Sequence, residues 1–294
     1  MNDYELILFD RINVIKDVIN KYGEENFYIA FSGGKDSTTL HYLIDMAIPN
    51  NKIPRVFIDT GIEYNFIREF VKELSNNDER IILIKPSQPI KQVLENYGYP
   101  FKSKQHSRLL NYYQSNGLKS RAVRVYLGLD VTRNNYKSYR PCPEILKYQF
   151  NENFKLKVSD KCCQKLKKDP IYKWAKDNNK TINITGIRAE EGGNRIYSNC
   201  IISKNGKIEK FNPLIKVDEN FINWFIKTYN VKLCKLYYPP YNFIRTGCKG
   251  CPYALKISEE LKTINYLLPN ELKQCEIIWE PVYKEYRRIG YRLK

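Results

Sequence analysis

Six residues near the start of the chain, Ser32-Gly33-Gly34-Lys35-Asp36-Ser37, combine the groups that grip a phosphate. Glycines let backbone amides turn toward an anion, hydroxyls and an ammonium add donors, and a following helix adds its dipole. The apolar run Phe27–Phe31 supplies a strand for the loop to leave from. The pattern is not the GxxxxGK[ST] loop of Walker-type proteins. Downstream, FIDTGIEY (57–64) sets Asp59, Thr60 and Gly61 at the end of a second apolar run. GIRAEEGGNR (186–195) offers Arg188 and Arg195 as forked donors to phosphate or sulfate oxygens. Glu190 and Glu191 are placed to orient those arginines or to hold magnesium.

Sulfur chemistry has its own candidates. Cys162 and Cys163 are adjacent, and Cys248 and Cys251 form a distant CxxC pair. Their thiols have three readings: a mononuclear zinc site, an iron–sulfur cube, or inert packed groups. Adjacent cysteines disfavour a single ion, because both sulfurs would close a tight ring on one metal. A [4Fe–4S] cube has separate irons, so neighbouring cysteines can each take a corner. Cys142, Cys200 and Cys234 read as ordinary thiols. Eight cysteines in a chain assigned by default to the cytoplasm do not imply a disulfide framework.

Composition narrows the partners. The 294 residues suffice for one large or two small domains, and 43% hydrophobic content suits a globular protein. No run of 18 apolar residues exists, so no membrane partner is expected, and the start MNDYELILFD lacks the basic flank of a secretory signal. The net charge of +17 has a bland reading, AT-rich codon bias, and a functional one, a polyanionic partner. Its distribution bears on the choice. Between Pro100 and Arg140, nine lysines and arginines face a single acid, Asp130, with Tyr112, Tyr113, Tyr126, Tyr136 and Tyr139 interleaved. A solvated helical face remains the other reading of this stretch.

Elements that position these residues follow from periodicity. Helical spacing covers 4–22, 37–47, 63–75, 88–97, 162–178 and 219–229. Strands are predicted at 27–31, 55–59, 80–84 and 182–185, and a hairpin around Asn205-Gly206. Strands alternating with helices predict an α/β fold with a mostly parallel, doubly wound sheet. The expected organisation is an N-terminal helix (1–26), a nucleotide- and cluster-binding domain (27–255) and a helical tail (256–294). Residues 98–160 read as a basic, irregular insertion over the sheet's carboxyl edge, where open α/β sheets bind ligands.

SGGKDS resembles the PP-loop of the N-type ATP pyrophosphatases and of the related phosphoadenosine phosphosulfate (PAPS) reductases. The DTG and G-x-R-x-E-E…R segments follow in those families' order. The resemblance implies an adenine nucleotide alpha-hydrolase-like fold. Its nucleotide would lie on Ser32, Gly33, Gly34, Lys35, Asp36, Ser37, Asp59, Thr60, Gly61, Arg188 and Arg195. Magnesium would neutralise its phosphates, and Lys35 and Arg188 would act catalytically. CC followed by CxxC is similar to the cluster motif of the adenosine phosphosulfate (APS) reductases. That implies a [4Fe–4S] cluster on Cys162, Cys163, Cys248 and Cys251, with Lys167 as its basic neighbour. The reductases' C-terminal ECG nucleophile is absent; Cys275 stands at a comparable distance as the candidate.

The complete loop is that of enzymes that spend ATP. With a cluster and a basic stretch, it is similar to adenylating sulfurtransferases: the tRNA thiolases and the adenylating subunit of DNA phosphorothioation systems. This implies ATP, a DNA or tRNA acceptor, and a sulfur donor such as a cysteine desulfurase. The alternative is an APS or PAPS reductase served by thioredoxin. A third reading is a non-catalytic nucleic-acid-binding protein of the same fold.

Overall fold

The computed structural model describes residues 2–293. In chain order the first half contains α1 (Asp3–Tyr22), β1 (Phe27–Phe31), α2 (Lys35–Ala47), β2 (Arg55–Ile58), α3 (Asn65–Asn77), β3 (Ile81–Ile84), α4 (Ile90–Tyr97), α5 (Lys104–Asn116) and α6 (Arg121–Leu127). The second half contains α7 (Asp169–Asp177), β4 (Ile182–Ile184), β5 (Ile201–Lys204), β6 (Lys207–Phe211), α8 (Glu219–Thr228), α9 (Ile257–Leu267) and α10 (Pro269–Arg288). The chain clusters into two compact units, each built from separate stretches. One runs to Asp59 and adds Glu63–Pro86 and Asp169–Gly247; the other comprises Thr60–Ile62, Ser87–Lys168 and the chain from Cys248 onward.

The first unit holds the sheet, in the order β3-β2-β1-β4-β6-β5. Every neighbouring pair is parallel except β5 and β6. That pair is the hairpin expected at Asn205-Gly206, where both residues take positive φ (50° and 74°) as a tight two-residue turn requires. Alternation along β1 sorts side chains to two faces. Phe27 and Ile29 join the large core with Ile15 of α1, Leu43 of α2 and Phe225 of α8. Tyr28 points the other way and packs with Val56 of β2 and Ile171 and Ala175 of α7. Helices therefore cover both faces of a mostly parallel sheet, the α/β architecture that the alternating pattern predicts.

Two expectations need correction. Residues 98–160 are not irregular throughout, because they contain α5 and α6. Their apolar positions are few, yet Leu110 and Val123 are wholly buried. A polar network holds them as well: His106 bonds the Tyr126 hydroxyl (2.9 Å) and Gln149 (2.7 Å). The single helix expected over 162–178 is interrupted by a π-helical turn, Gln164–Lys168. Pro170 follows two residues later, and its missing N–H forbids an unbroken α-helical ladder there.

In the second unit α9 and α10 form the helical tail. Trp279, Val282, Tyr283 and Tyr286 of α10 are completely buried. The Trp279 indole donates to the Lys249 carbonyl (3.1 Å), Tyr283 donates to the Gly250 carbonyl, and Tyr286 to the Pro252 carbonyl (2.9 Å). The CxxC segment is thus gripped by its own backbone carbonyls.

Candidate functional site

The glycine loop lies in the first unit, between β1 and α2. Gly33 has φ +69°, and a Cβ there would meet Val71 Cγ2 at 2.7 Å, so both backbone and space demand glycine. Gly34 is the N-cap of α2 and brings no side-chain cap. The N-cap residue therefore closes off none of the first-turn amides, and a helix N-terminus of this kind is the usual seat of an anion. The loop is braced internally. Ser32 Oγ lies 2.9 Å from Ser37 Oγ, and the Ser37 hydroxyl donates to the Gly34 carbonyl (3.0 Å). Lys35 N donates to the Tyr237 hydroxyl (3.0 Å), which pairs with Thr246 Oγ1 (2.7 Å). At Gly186 a Cβ would stand 3.0 Å from the Asp36 carbonyl, so β4's exit is pressed against the loop.

The cations beside this loop are already paired. Arg188, only 5% exposed, donates to Asp36 (2.9 Å), Glu190 (2.7 Å) and Glu219. Lys35 Nζ also pairs with Glu219. Burial opposes the charge on Arg188, but Asp36 and Glu219 hold its pKa above the usual value. Burial, followed by the charges of Glu191 and Glu219, raises the Asp36 carboxyl despite the neighbouring Arg188. Arg195 pairs with Glu191 at 2.9 Å, and Arg245 binds the same carboxylate. Asp59 at the end of β2 accepts from Arg68 (2.9 Å), and its N–H donates to the Ile84 carbonyl (2.9 Å). Thr60 and Gly61 open the second unit. Thr60 is buried, with its hydroxyl accepting from the Ile62 amide (3.4 Å), and Gly61 has φ +82°.

The sequence did not single out Glu219, Tyr237 or Thr246. Glu219 reads as the first residue of a helix capped by Asp218, whose side chain accepts from Phe221 N (2.8 Å). An acid in a first helical turn has that ordinary explanation. Thr246 lies inside the quoted TGCKGCP segment, but its spacing gives no sign of a loop hydroxyl.

The second unit gathers the four cysteines. The Cys162 sulfur interacts electrostatically with those of Cys163, Cys248 and Cys251. A hydrogen bond between Cys162 and Cys163 holds the Cys163 thiol low and, together with burial, the Cys162 thiol high. Lys104, Lys167 and Lys168 further lower Cys163. Burial, then the nearby Cys248 thiol, pushes Cys251 up. Among the described residues, no three His, Cys, Asp or Glu side chains enclose a point able to hold one metal ion. The chemistry of the donor set still suits a group that takes thiolates on separate atoms: four free thiols, with three lysines favouring the anion.

Cys275, the sequence's candidate nucleophile, is corrected by its surroundings. It lies on α10 with no exposed surface, and burial pushes its thiol up to about 12. A nucleophilic cysteine needs access and thiolate character, and this one has neither. It packs beneath Gly250: a Cβ there would meet Cys275 Sγ at 2.8 Å and the Tyr283 hydroxyl at 2.5 Å. Cys142 is likewise buried, with a thiol raised to about 11 by desolvation.

Comparison with known proteins gives one family. Residues 26–127 and 129–254 match the family model of the phosphoadenosine phosphosulfate reductase domain. No curated protein matches the chain. Solved structures that resemble it include phosphoadenylyl-sulfate (PAPS) reductase from Candida auris, at 14% identity and TM-score 0.41, with 76% of this chain and 88% of that one covered. Candida glabrata FMN adenylyltransferase in complex with ATP resembles it at 14% identity and TM-score 0.42, covering 80% and 60%. NH3-dependent NAD synthetase from Campylobacter jejuni does so at 13% identity and TM-score 0.41, covering 100% and 99%. At these scores the three likenesses carry no argument about chemistry.

Proposed function

The chain belongs to the phosphoadenosine phosphosulfate reductase domain family, and on that premise we propose that it is an iron–sulfur enzyme that uses ATP to adenylate an oxygen of a nucleic acid and replace it with sulfur. The observation that carries the reading is the complete SGGKDS loop, closing on a helix N-terminus with no side-chain cap and with Lys35 at its first position. A sulfonucleotide has no β,γ-pyrophosphate for such a cradle to hold, whereas ATP has.

In this reading an acceptor oxygen attacks the α-phosphorus, the α–β P–O bond breaks, and pyrophosphate leaves. Loop amides and Lys35 stabilise the charge that develops on the leaving group. Arg188 and Arg195 hold the α-phosphate in line. Both cations beside the loop are tied to Glu219. Entry of the phosphates therefore exchanges a carboxylate partner for a phosphate one. Asp36, Glu190 and Glu219 are all paired with Arg188, and magnesium, which would neutralise phosphate charge and is commonly held by one or two carboxylates with the phosphates themselves, would have to draw one of them from that pairing. Cys162, Cys163, Cys248 and Cys251 would hold a [4Fe–4S] cluster, which when bound would supply an iron site for sulfide. Lys167 would steady anionic sulfur. Sulfide would be released from the persulfide of a donor such as a cysteine desulfurase by a dithiol reductant, which is left as a disulfide, and would displace AMP from the adenylated acceptor.

Sulfonucleotide reduction, with thioredoxin as reductant, requires an accessible thiolate to attack sulfur, and the burial of Cys275 opposes it. The test is ATP–pyrophosphate exchange by anaerobically purified protein, with DNA, tRNA or neither, alongside iron and sulfide assay. Exchange that depends on a nucleic acid is the expected result. Release of sulfite from labelled APS or PAPS with thioredoxin, and no exchange, would replace this reading by the reductase one. Tight nucleic-acid binding with neither reaction would leave the non-catalytic one.

A further inference from the structure

Between α5, α6 and the chain that follows them, the second unit contains a cavity of about 450 Å³. That lies within the ~300–1,000 Å³ range of small-molecule sites. Arg108, Arg121 and Arg133 are among the residues that line it, and Leu109 and Val125 give it an apolar wall. No acid lines it. Asp130, the nearest acid in sequence to Arg121 and Arg133, is held by Arg124 at 3.1 Å, with Arg121 at 3.8 Å. Arg121 is fixed in place by donating to the Val131 and Thr132 carbonyls (both 3.1 Å). Among the described residues, Arg108 and Arg133 have no carboxylate partner. Arg108 and Arg133 thus leave uncompensated positive charge at the hollow, which favours an anion.

The rim adds a second, independent observation. Tyr136 is 71% exposed and Tyr139 93%, values that folding does not explain. Neither lines the cavity, but each is joined to a residue that does. Tyr136 N donates to Thr132 Oγ1 (3.1 Å) and its carbonyl accepts from Thr132 N (2.8 Å). Tyr139 follows the lining residue Ser138, and the Arg140 guanidinium stands 5.8 Å from its ring centre. Exposed rings between cations are the surface on which successive bases of a single strand stack.

We propose that this cavity seats one nucleotide of a single-stranded nucleic acid. Its phosphate would lie on Arg108 and Arg133 and its base against Leu109 and Val125, with neighbouring bases stacked on Tyr136 and Tyr139. A free mononucleotide shares the phosphate-and-base chemistry but gives the outer tyrosines nothing to do. The inference deepens the nucleic-acid part of the proposed function, on which it rests.

The test measures binding of labelled 12-nucleotide DNA and RNA strands to the full-length, anaerobically purified chain by fluorescence anisotropy over a salt series. The Arg108→Ala/Arg133→Ala double variant should weaken single-strand binding about tenfold or more. It should also flatten the salt dependence by about 0.7, the share of the one phosphate contact that both arginines make. Tyr136→Ala/Tyr139→Ala should weaken binding about tenfold with the salt dependence unchanged, because stacking carries no charge. Thermal melting of each variant separates lost binding from lost folding. AMP binding as tightly as the strand, duplex binding more tightly than single strand, or heparin losing as much affinity in the tyrosine variant would each overturn the inference. Unchanged strand binding by the arginine variant, with wild-type exchange still stimulated by nucleic acid, would sink the cavity and leave the proposed reaction standing. Strand binding that needs both pairs, in a protein without pyrophosphate exchange, would do the reverse.

Discussion

The ammonium of Lys249 lies 2.8 Å from the carboxylate of Glu271, with the two side chains only 1% and 5% exposed. Lys249 sits between Cys248 and Cys251, so the pair ties the CxxC segment to α10. Removing one member leaves a buried charge, which typically costs about 3–5 kcal/mol. Glu271→Ala should therefore lower stability by about that amount in urea unfolding. Replacing both residues, as Lys249→Met/Glu271→Leu, should cost clearly less. Equal losses in the single and double variants would show that the salt bridge is not what matters there.

Acid should unfold the protein earlier than its carboxylates alone would require. Both histidines of the chain are buried and neutral, each with a pKa lowered to about 4. His41 is held low by desolvation and then by Arg55, and His106 by desolvation. Unfolded, each would titrate near 6.5. Stability is therefore fully present above about pH 6.5 and is lost as pH falls toward 4, because only the unfolded chain takes the proton. The loss is of order 3 kcal/mol per histidine across that window. Melting temperature from pH 7.5 to 4.5 measures it, and His41→Gln with His106→Gln should flatten the profile.

The pairing of Glu219 with both Lys35 and Arg188 predicts a competition. Glu219→Gln should tighten binding of inorganic pyrophosphate severalfold in the absence of magnesium, measured by calorimetry. Lys35→Met should cut ATP–pyrophosphate exchange by about 10²–10³-fold, the usual effect of losing one donor to a developing anion. Weaker pyrophosphate binding in the Glu219 variant would mean the carboxylate organises the site.

Cys163→Ser should abolish iron and acid-labile sulfide in the anaerobically purified protein and remove its visible absorption. Cys275→Ala should leave iron content and exchange unchanged while costing stability, since it deletes a buried side chain beneath Gly250. Loss of exchange in a folded, iron-loaded Cys275→Ala protein would restore it as a reacting group.

The glycine loop was legible because its shape is local. An apolar strand, a positive-φ glycine at Gly33 and an immediate helix are decided by neighbours in sequence. The α/β pattern and the hairpin at Asn205-Gly206 were legible for the same reason. α5 and α6 were not. Their order comes from residues far along the chain: Phe101 stacks edge-on against Tyr286, and His106 against Phe150. Periodicity counts apolar residues and is blind to a buried histidine satisfied by a tyrosine and a glutamine.

By itself the sequence determined which groups are present, their local backbone, and their kinship with a nucleotide-binding family. Tertiary structure alone decided their neighbours. It set Glu219 against Lys35 across 184 residues of chain, gathered four separated thiols, buried Cys275, and hollowed a space among Arg108, Arg121 and Arg133. Charge pairing and burial depend on distance in space, and a linear order does not contain that distance.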